Sequence, residues 1–186
     1  MANDEICIVQ KRIVITGGPG TGKSSIIKKL EKEGYKCLHE VSREITAAAQ
    51  REGITQLFLE QPVLFSKKLL EARIDQFHEA SEFHSNMIFI DRGIPDVVAY
   101  MDYFGTDYPS AFNEACAEYK YHHVFLLPPW EEIYQTDNER YESFEQAVEI
   151  YDHLKLSYRS NGYSTIEVPR NSVAQRCEFI LSNLKF

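Results

Sequence analysis

The sequence predicts an α/β protein in which a five-stranded parallel sheet carries helices on both faces. Two observations indicate this class. Short runs rich in β-branched and aromatic residues alternate with longer segments of helical periodicity, and the runs at 87–90 and 124–127 are apolar throughout. Such alternation produces βαβ crossovers, and strands covered on both faces have no polar side. The predicted strands are residues 12–16, 35–39, 87–91, 123–127 and 164–168.

The connecting segments predict helices with recognisable ends. Residues 22–33 stop at Gly34 and residues 42–52 stop at Gly53, and Ser42 is a candidate N-cap. Apolar residues at helical spacing predict further helices over 61–84, 143–159 and 173–184. Because no repeat or linker interrupts this pattern, we expect residues 1–186 to form one domain, with a lid-like insert at about 130–143.

The first predicted strand opens into a glycine-rich loop at residues 17–24 that matches the pattern G-x-x-x-x-G-K-S between a strand and a helix. Glycines without a Cβ let successive N–H groups surround a polyphosphate, and the following helix points its positive end at the same anion. This pattern predicts a P-loop NTPase of the nucleotide-kinase shape. The predicted nucleotide-binding residues of the loop are Gly17, Gly18, Pro19, Gly20, Thr21, Gly22, Lys23, Ser24 and Ser25.

Two carboxylates lie at the carboxyl ends of predicted strands, at the sheet edge where parallel sheets bind ligands. Asp91 ends the third strand, a position from which an aspartate orients Mg2+ directly or through water, and the Ser24 hydroxyl is a second candidate Mg2+ ligand. Glu40 follows the second strand and could accept the proton of an acceptor hydroxyl. Either carboxylate is a candidate general base, and the alternative for Glu40 is a structural pair with Arg43.

Four arginines are candidate phosphate or substrate contacts. Arg92 carries a planar fork suited to bidentate phosphate binding, although a salt bridge to Asp96 or Glu40 is the alternative. Arg140 lies in the lid-like insert, and Arg170 follows the last strand, where it can stack on the nucleotide base. The predicted catalytic residues are Lys23, Glu40, Asp91, Arg92 and Arg140, and the predicted substrate-binding residues are Glu40, Arg43 and Arg92.

The composition restricts the partners. A net charge of −8 disfavours a nucleic-acid or anionic-membrane surface. The four cysteines form no C-x-x-C pair, which indicates reduced thiols. Charged residues interrupt the N-terminal segment, and no apolar stretch approaches about 18 residues, so we expect neither a secretory signal nor a membrane span and place the protein in the cytoplasm.

Several motifs follow the glycine loop in the order of one known family. They are Glu-Val-Ser-Arg (40–43), Ile-Asp-Arg-Gly-Ile-Pro-Asp (90–96), Val-Phe-Leu-Leu-Pro-Pro-Trp-Glu-Glu-Ile-Tyr (124–134) and Asp-x-x-Arg (137–140). Together they resemble the predicted ATPase/kinase "AAA domain" family, which includes the ribosylnicotinamide kinase domain of NadR-type proteins and a TRPL-translocation-defect type of GTP- and lipid-binding protein. The resemblance implies a nucleotide-kinase-like fold, ATP or GTP with Mg2+, and phosphoryl transfer to a small molecule.

Two functions are compatible with these residues. The first is a kinase that moves the γ-phosphate of ATP-Mg2+ to a small hydroxyl-bearing metabolite, for which a nucleoside-like acceptor is a candidate. The second is a nucleotide-dependent switch or slow NTPase that binds a protein or a phospholipid headgroup, favoured by the single arginine of the lid-like insert and by the family's signalling relative. No Asn/Thr-Lys-x-Asp guanine-reading motif occurs, which favours ATP over GTP.

Overall fold

A five-stranded parallel sheet lies at the centre of the computed structural model, which describes residues 10–54, 57–134 and 142–184. The strand order is β2-β3-β1-β4-β5. All five predicted strands are confirmed, although the two edge strands, which pair on one side only, are shorter than predicted. The strands are β1 (Lys11–Gly17), β2 (Lys36–Leu38), β3 (Met87–Asp91), β4 (His123–Leu127) and β5 (Thr165–Glu167).

Helices connect the strands and cover both faces of the sheet. The predicted helices are confirmed, but the long one ends at Glu79, where a short 3-10 turn (Ala80–Glu82) follows. Three helices are not among the predicted ones: Leu57–Glu60 and Ala111–Glu118 are too short for a clear periodic pattern, and Ile94–Tyr103 is buried on most sides and so lacks a polar face. The helices are α1 (Lys23–Lys32), α2 (Ser42–Arg51), α3 (Leu57–Glu60), α4 (Pro62–Glu79), α5 (Ile94–Tyr103), α6 (Ala111–Glu118), α7 (Phe144–Ser160) and α8 (Val173–Ser182).

Alternate side chains of each strand pack into different layers, as the two-residue period of a strand requires. Val14 and Ile88 belong to a buried cluster with residues of α4, α5 and α6. Ile13, which precedes Val14, and Phe89, which follows Ile88, belong to a second cluster with residues of α1 and α8. Both faces of the central strands are therefore buried, which explains their uninterrupted apolar sequence.

The register of β1 brings the glycine loop and the tip of β3 together. Ile15 of β1 lies opposite Asp91 of β3, and Gly17 lies opposite Leu127 of β4. The loop that follows β1 therefore leaves the sheet between the carboxyl ends of two neighbouring strands. Ligands of doubly wound sheets bind at this edge.

Ser42 begins α2 but does not cap it, contrary to the prediction. The N-cap position is occupied by Val41, which has helical backbone angles and makes no side-chain capping hydrogen bond. Instead, the Ser42 N–H donates to Oε1 of Glu40 over 3.2 Å. The carboxylate that follows β2 therefore takes the capping role, which fixes Glu40 at the start of the helix.

Three further predictions concern parts of the chain away from the sheet edge. None of the helices that the structure describes is long and apolar enough to cross a membrane. Cys37, Cys116 and Cys177 are free thiols, in agreement with the predicted reduced state of these three. Most of the predicted lid-like insert, including Arg140, lies outside the described residues.

Candidate active site at the carboxyl edge of the sheet

The glycine-rich loop has the backbone geometry that its sequence requires. Gly20 and Gly22 have φ angles of 70° and 84°, in the left-handed region that residues with a Cβ rarely adopt. Gly22 is also the N-cap of α1. The Tyr134 ring lies so close to Gly20 that a Cβ there would come within 2.5 Å of its Cδ2 atom. The loop is thus bounded by the start of α1 on one side and by an aromatic ring on another.

Lys23 folds back over the loop. Its Nζ donates to the carbonyl oxygens of Gly17 and Gly18, over 2.9 and 2.7 Å. Burial, with a smaller contribution from the charge of Arg92, lowers the pKa of Lys23 to about 7, although Asp91 opposes the shift. An anionic phosphate in the loop would favour the charged ammonium.

Asp91 carries a buried carboxylate oxygen without a partner. The residue is 4% exposed, and its Oδ1 atom makes no hydrogen bond. Burial raises the pKa of this carboxyl, although the charge of Lys23 opposes the shift. An orphaned buried oxygen suits a hard cation, and the exposed Ser24 lies at the start of α1 as a second oxygen donor. These two residues fit Mg2+, and no cluster of three or more His, Cys, Asp or Glu ligands occurs in the described part of the chain.

Glu40 lies between two arginines. Its Oε1 accepts from Nη2 of Arg73 over 2.8 Å, and its Oε2 accepts from Nε of Arg92 over 2.6 Å. Burial alone would raise the pKa of this carboxyl, but the charges of Arg73 and Arg92 outweigh burial and lower the pKa to about 2. Glu40 is therefore ionised at neutral pH and is a weak base. A structural pair with Arg43 was the alternative interpretation of Glu40, and the structure shows ion pairs with two other arginines, Arg73 and Arg92.

Arg73 is a member of the site that sequence reasoning missed. It projects from α4 with a side chain 3% exposed, and its Nη1 also donates to the backbone carbonyl of Asp91 over 3.3 Å. Its position among Leu69, Leu70 and Phe77 is the signal that could have identified it. A charged residue on the apolar stripe of a helix needs a buried partner.

Arg92 is held in an unusual backbone conformation. Its φ of 70° is the only positive value among the described residues other than glycine. The backbone N–H donates to Ile15 across the sheet over 3.0 Å, and Nη1 forms an ion pair with Oδ1 of Asp96 over 3.1 Å. Such strain persists only where the surroundings fix the residue from several sides. Both salt bridges that were the alternative for Arg92 are present.

Asp96 anchors this arrangement from the first turn of α5. Its Oδ1 accepts from the Thr16 hydroxyl over 2.6 Å, and its Oδ2 accepts from the Gly93 N–H and the Tyr158 hydroxyl over 3.0 and 2.5 Å. Sequence reasoning named Asp96 only as a partner of Arg92. The structure makes this buried carboxylate the point where β1, α5 and α7 meet.

A cavity of about 330 Å³ adjoins the phosphate loop. Arg170 is exposed and does not line this cavity, and its Nε donates to the Pro129 carbonyl over 2.9 Å. Arg43 is likewise exposed, in the first turn of α2. Roles for these two arginines and for Arg140 stay predictions. The residues that line the cavity include Gly20, Gly22, Ser25, Trp130, Ile133 and Arg176.

Comparison with known sequences identifies one family. The sequence profile of the family described as AAA domain matches residues 12–176 of this chain. No curated protein sequence matches it. The match extends from β1 to α8 and therefore includes the loop, the strand tips and the cavity described above.

Solved structures share the fold over nearly the whole chain. A deoxyadenosine kinase from M. mycoides with bound dATP has a TM-score of 0.69 at 20% identity, over 93% of this chain and 98% of its own. The NadR protein in complex with NR has a TM-score of 0.72 at 14% identity, over 94% of this chain and 50% of its own. A thymidylate kinase from Ehrlichia chaffeensis has a TM-score of 0.64 at 12% identity, over 95% of this chain and 100% of its own. The predicted P-loop kinase-like fold is thereby confirmed.

Proposed function

The chain belongs to the AAA domain family, and from this premise we propose that it is a kinase. In this proposal it transfers the γ-phosphate of ATP, bound with Mg2+, to the hydroxyl group of a small, uncharged, nucleoside-like acceptor. The observation that carries the proposal is the ion pair between Glu40 and Arg92, which lies on the same sheet edge as Lys23 and Asp91. We further propose that the whole chain acts as one domain.

The phosphate loop supplies the donor side. The backbone N–H groups of residues 17–24 and the start of α1 would hold the β- and γ-phosphates, and Lys23 would exchange its carbonyl partners for phosphate oxygens. Ser24 and Asp91 would hold Mg2+, which when bound neutralises phosphate charge. In the absence of nucleotide, the ammonium of Lys23 is already at the loop, so little rearrangement is needed.

Glu40 and Arg92 supply the acceptor side. An ionised carboxylate accepts a hydrogen bond from the acceptor hydroxyl and orients its oxygen towards the γ-phosphate. With a pKa of about 2, Glu40 suits this orienting role better than that of a strong base. Phosphoryl transfer through a loose transition state needs mostly positioning and charge stabilisation, and the guanidinium of Arg92 can provide the latter.

The charge balance of the site favours an uncharged acceptor. Three cations, Lys23, Arg73 and Arg92, interact with the carboxyl groups of Glu40, Asp91 and Asp96. A nucleoside monophosphate would bring two further negative charges next to Glu40, and both arginines that contact Glu40 are already paired. A nucleoside brings only hydroxyl groups.

The test is transfer of label from γ-labelled ATP-Mg2+ into separate pools of nucleosides and deoxynucleosides, nucleoside monophosphates, nicotinamide riboside, sugars and amino alcohols. We expect a labelled product from a nucleoside-containing pool and none from the monophosphates. The Lys23→Ala variant is the blank, because its loop lacks the phosphate-contacting ammonium.

Two results would contradict the proposal. Label that appears only as free phosphate, at a rate unchanged by every pool, would favour the nucleotide-dependent switch or slow NTPase instead. Transfer to monophosphates alone would support the kinase activity but contradict the uncharged acceptor.

The Glu40→Gln variant tests the orienting role of Glu40. We expect its ATP affinity to lie within about threefold of the wild type and its turnover to be reduced about 100-fold.

A further inference from the structure

We propose that a second cavity, at the amino edge of the sheet, binds the phosphate group of a small phosphorylated molecule. This amino-edge cavity lies at the opposite end of the strands from the phosphate loop, so the inference goes beyond the proposed function and does not depend on it. Three observations carry it: the basic wall of the cavity, an accessible guanidinium nitrogen without a partner, and two further donors held by the same arginine.

The amino-edge cavity has a volume of about 650 Å³, within the range of small-molecule sites. Lys11 of β1 lies opposite Met87 of β3, and Ile13 lies opposite His123 of β4. The starts of these three parallel strands therefore meet at one edge, whereas the phosphate loop follows the other end of β1. The residues that line the cavity include Arg12, Ser81, His84, Asn86 and His122.

The wall of the amino-edge cavity is basic, although the whole chain has a net charge of −8. Among the described residues that line it are one arginine and two histidines, and none of them carries a carboxylate. Burial, followed by the charges of Arg12, His123 and Lys11, lowers the pKa of His122, so the charged groups that act on this imidazole are all basic. None of the ion pairs between residues that the structure describes involves Arg12. Such an uncompensated positive region attracts an anion.

Arg12 offers the cavity a hydrogen-bond donor in a fixed position. Its Nε donates to the backbone carbonyl of Phe77 over 3.2 Å, and its Nη2 donates to the Ser81 hydroxyl over 2.6 Å. The guanidinium carbon also lies 4.2 Å from the centre of the Phe77 ring. These contacts hold the plane of the guanidinium, while Nη1 is not buried and has no partner among the described residues. A guanidinium held in this way is suited to phosphate oxygens.

Ser81 and His122 supply two further donors. Because the Ser81 oxygen accepts from Arg12, the hydroxyl proton is available to another acceptor. Nδ1 of His122 accepts from the backbone N–H of Arg12 over 3.1 Å. A backbone N–H can only donate, so Nδ1 is unprotonated and Nε2 carries the proton of the neutral ring.

The donor set favours a phosphate group over a carboxylate. Arg12, Ser81 and His122 each have one donor left, and all three side chains line the same cavity. A phosphate monoester offers three terminal oxygens and up to two negative charges, whereas a carboxylate offers two oxygens and one charge. We therefore expect the amino-edge cavity to bind phosphate monoesters more tightly than carboxylates.

Histidine signals provide a local readout, because His84 and His122 line the cavity and the sequence has six histidines in all. The experiment follows the imidazole C–H signals of the wild-type protein by NMR while inorganic phosphate, glycerol 2-phosphate or acetate is added at constant pH and ionic strength. We expect both signals to shift saturably with the two phosphates, with a dissociation constant of about 1 mM, and acetate to bind about tenfold more weakly. His153 on α7 should not respond.

The Arg12→Lys variant tests the guanidinium, because lysine keeps the charge but has a single nitrogen. We expect glycerol 2-phosphate to bind about tenfold more weakly. Arg159→Lys, a change on the exposed end of α7, is the matched control and should preserve the affinity. If Arg12→Lys folds poorly, His122→Asn is the milder variant, since its amide oxygen can still accept from the Arg12 N–H, and we expect about threefold weaker binding, read from His84.

The Lys23→Ala variant separates the amino-edge cavity from the phosphate loop, which is also expected to bind phosphate. Its loop lacks the ammonium that contacts Gly17 and Gly18, yet the shifts of His84 and His122 should persist with unchanged dissociation constants. Saturable histidine shifts without phosphate transfer to any acceptor would reject the kinase and retain this second site.

Four outcomes would overturn the inference. They are histidine shifts that do not saturate, equal affinity for acetate and glycerol 2-phosphate, unchanged affinity in both Arg12→Lys and His122→Asn, and shifts that disappear in Lys23→Ala. Binding of inorganic phosphate without glycerol 2-phosphate would also contradict it, because the cavity would then bind the free ion and not a phosphorylated molecule.

Discussion

The guanidinium of Arg92 bridges two carboxylates from different parts of the chain. Its Nε donates to Glu40 over 2.6 Å, and its Nη1 lies 3.1 Å from Asp96. The backbone of Arg92 has a φ of 70°, a strained conformation that persists where surrounding contacts hold the residue in place. Arg92 is thus positioned before any substrate arrives, which is what stabilisation of a transferring phosphoryl group requires.

Replacement of Asp96 should disturb Arg92 without touching the phosphate loop. In Asp96→Asn the side chain keeps its size but loses the charge that pairs with Arg92, so we expect turnover to fall about 100-fold while ATP affinity stays within about threefold. Stability should also fall, because the bonds to Thr16 and Tyr158 weaken. The measurements are turnover at saturating ATP, the ATP dissociation constant and the free energy of unfolding.

A milder variant keeps this prediction testable if Asp96→Asn folds poorly. Tyr158→Phe removes one hydrogen bond to Asp96 but leaves the charge and the pair with Arg92 in place. We therefore expect Tyr158→Phe to lower stability with a loss of turnover below about fivefold. Equal turnover in all three proteins would show that the position of Arg92 does not limit the reaction.

Protonation of Glu40 at acidic pH should lower the free energy of unfolding. Its pKa is about 2 in the folded protein and about 4.5 ordinarily, so the ionised carboxylate stabilises the fold above about pH 4.5. That contribution is lost as the pH falls from about 4.5 towards 2. The Glu40→Gln variant lacks this contribution, and Arg73 loses the carboxylate that it pairs with. We therefore expect the free energy of unfolding of the variant to be about 3 kcal/mol lower than that of the wild type at neutral pH.

The difference in the free energy of unfolding between the wild type and Glu40→Gln reports on Glu40 alone, because both proteins contain all the other acidic groups. Urea unfolding between about pH 7 and pH 3 should show the wild-type advantage shrinking as the pH falls below about 4.5. A wild-type advantage that stays constant over the whole range would contradict the low pKa of Glu40.

A side chain at position 93 should destabilise the site by steric overlap alone. Gly93 has a φ of −116°, which alanine adopts without strain. However, a Cβ there would lie 2.6 Å from the Tyr158 hydroxyl oxygen and 3.0 Å from the Tyr121 ring. We expect Gly93→Ala to lower the free energy of unfolding by about 2 kcal/mol.

The double variant Gly93→Ala/Tyr158→Phe identifies the atom responsible. Removal of the hydroxyl relieves the shortest overlap, so the double variant should be more stable than the sum of the two single changes predicts, by about 1 kcal/mol. Chemical denaturation of all four proteins gives this coupling. Strictly additive losses would show that the overlap is relieved by backbone movement instead.

The sheet and the phosphate loop could be predicted because their signals are local. Residues 87–90 are apolar throughout since helices cover both faces of β3, and the glycines at 20 and 22 occupy positions with positive φ. Glu40 and Asp91 could be selected as candidate site residues because Glu40 follows β2 and Asp91 ends β3. These inferences need only a neighbourhood of a few residues and the rule that ligands bind at the carboxyl edge.

The partners of these residues could not be predicted because they are distant in sequence. Glu40 pairs with Arg73, 33 residues further along, and Thr21 accepts from Arg176, 155 residues further along. From the sequence, the alternative partner considered for Glu40 was its neighbour Arg43, and the candidate contact for the nucleotide base was Arg170. Arg73 and Arg176 both project from helices packed against the sheet, and their directions depend on tertiary packing.

Asp91 is expected to reduce stability in the absence of ligand while it supports turnover. Its Oδ1 is buried without a partner, and burial raises the pKa of the carboxyl. An acid whose folded pKa is raised destabilises the protein at neutral pH. Asp91→Asn removes the buried charge at nearly constant volume, so we expect the nucleotide-free variant to be more stable by about 1 kcal/mol, a rise of roughly 2–4 °C in Tm.

Turnover should change in the opposite direction. The amide of Asp91→Asn offers a cation much weaker attraction, so label transfer from ATP should fall about 100-fold or more while ATP affinity without Mg2+ stays near that of the wild type. Asp102→Asn, an exposed change at the end of α5, is the matched control for loss of a carboxylate and should leave turnover intact. If Asp91→Asn is less stable than the wild type and fully active, Asp91 is excluded from the metal site. The buried carboxylate would then stabilise the fold and contribute nothing to turnover.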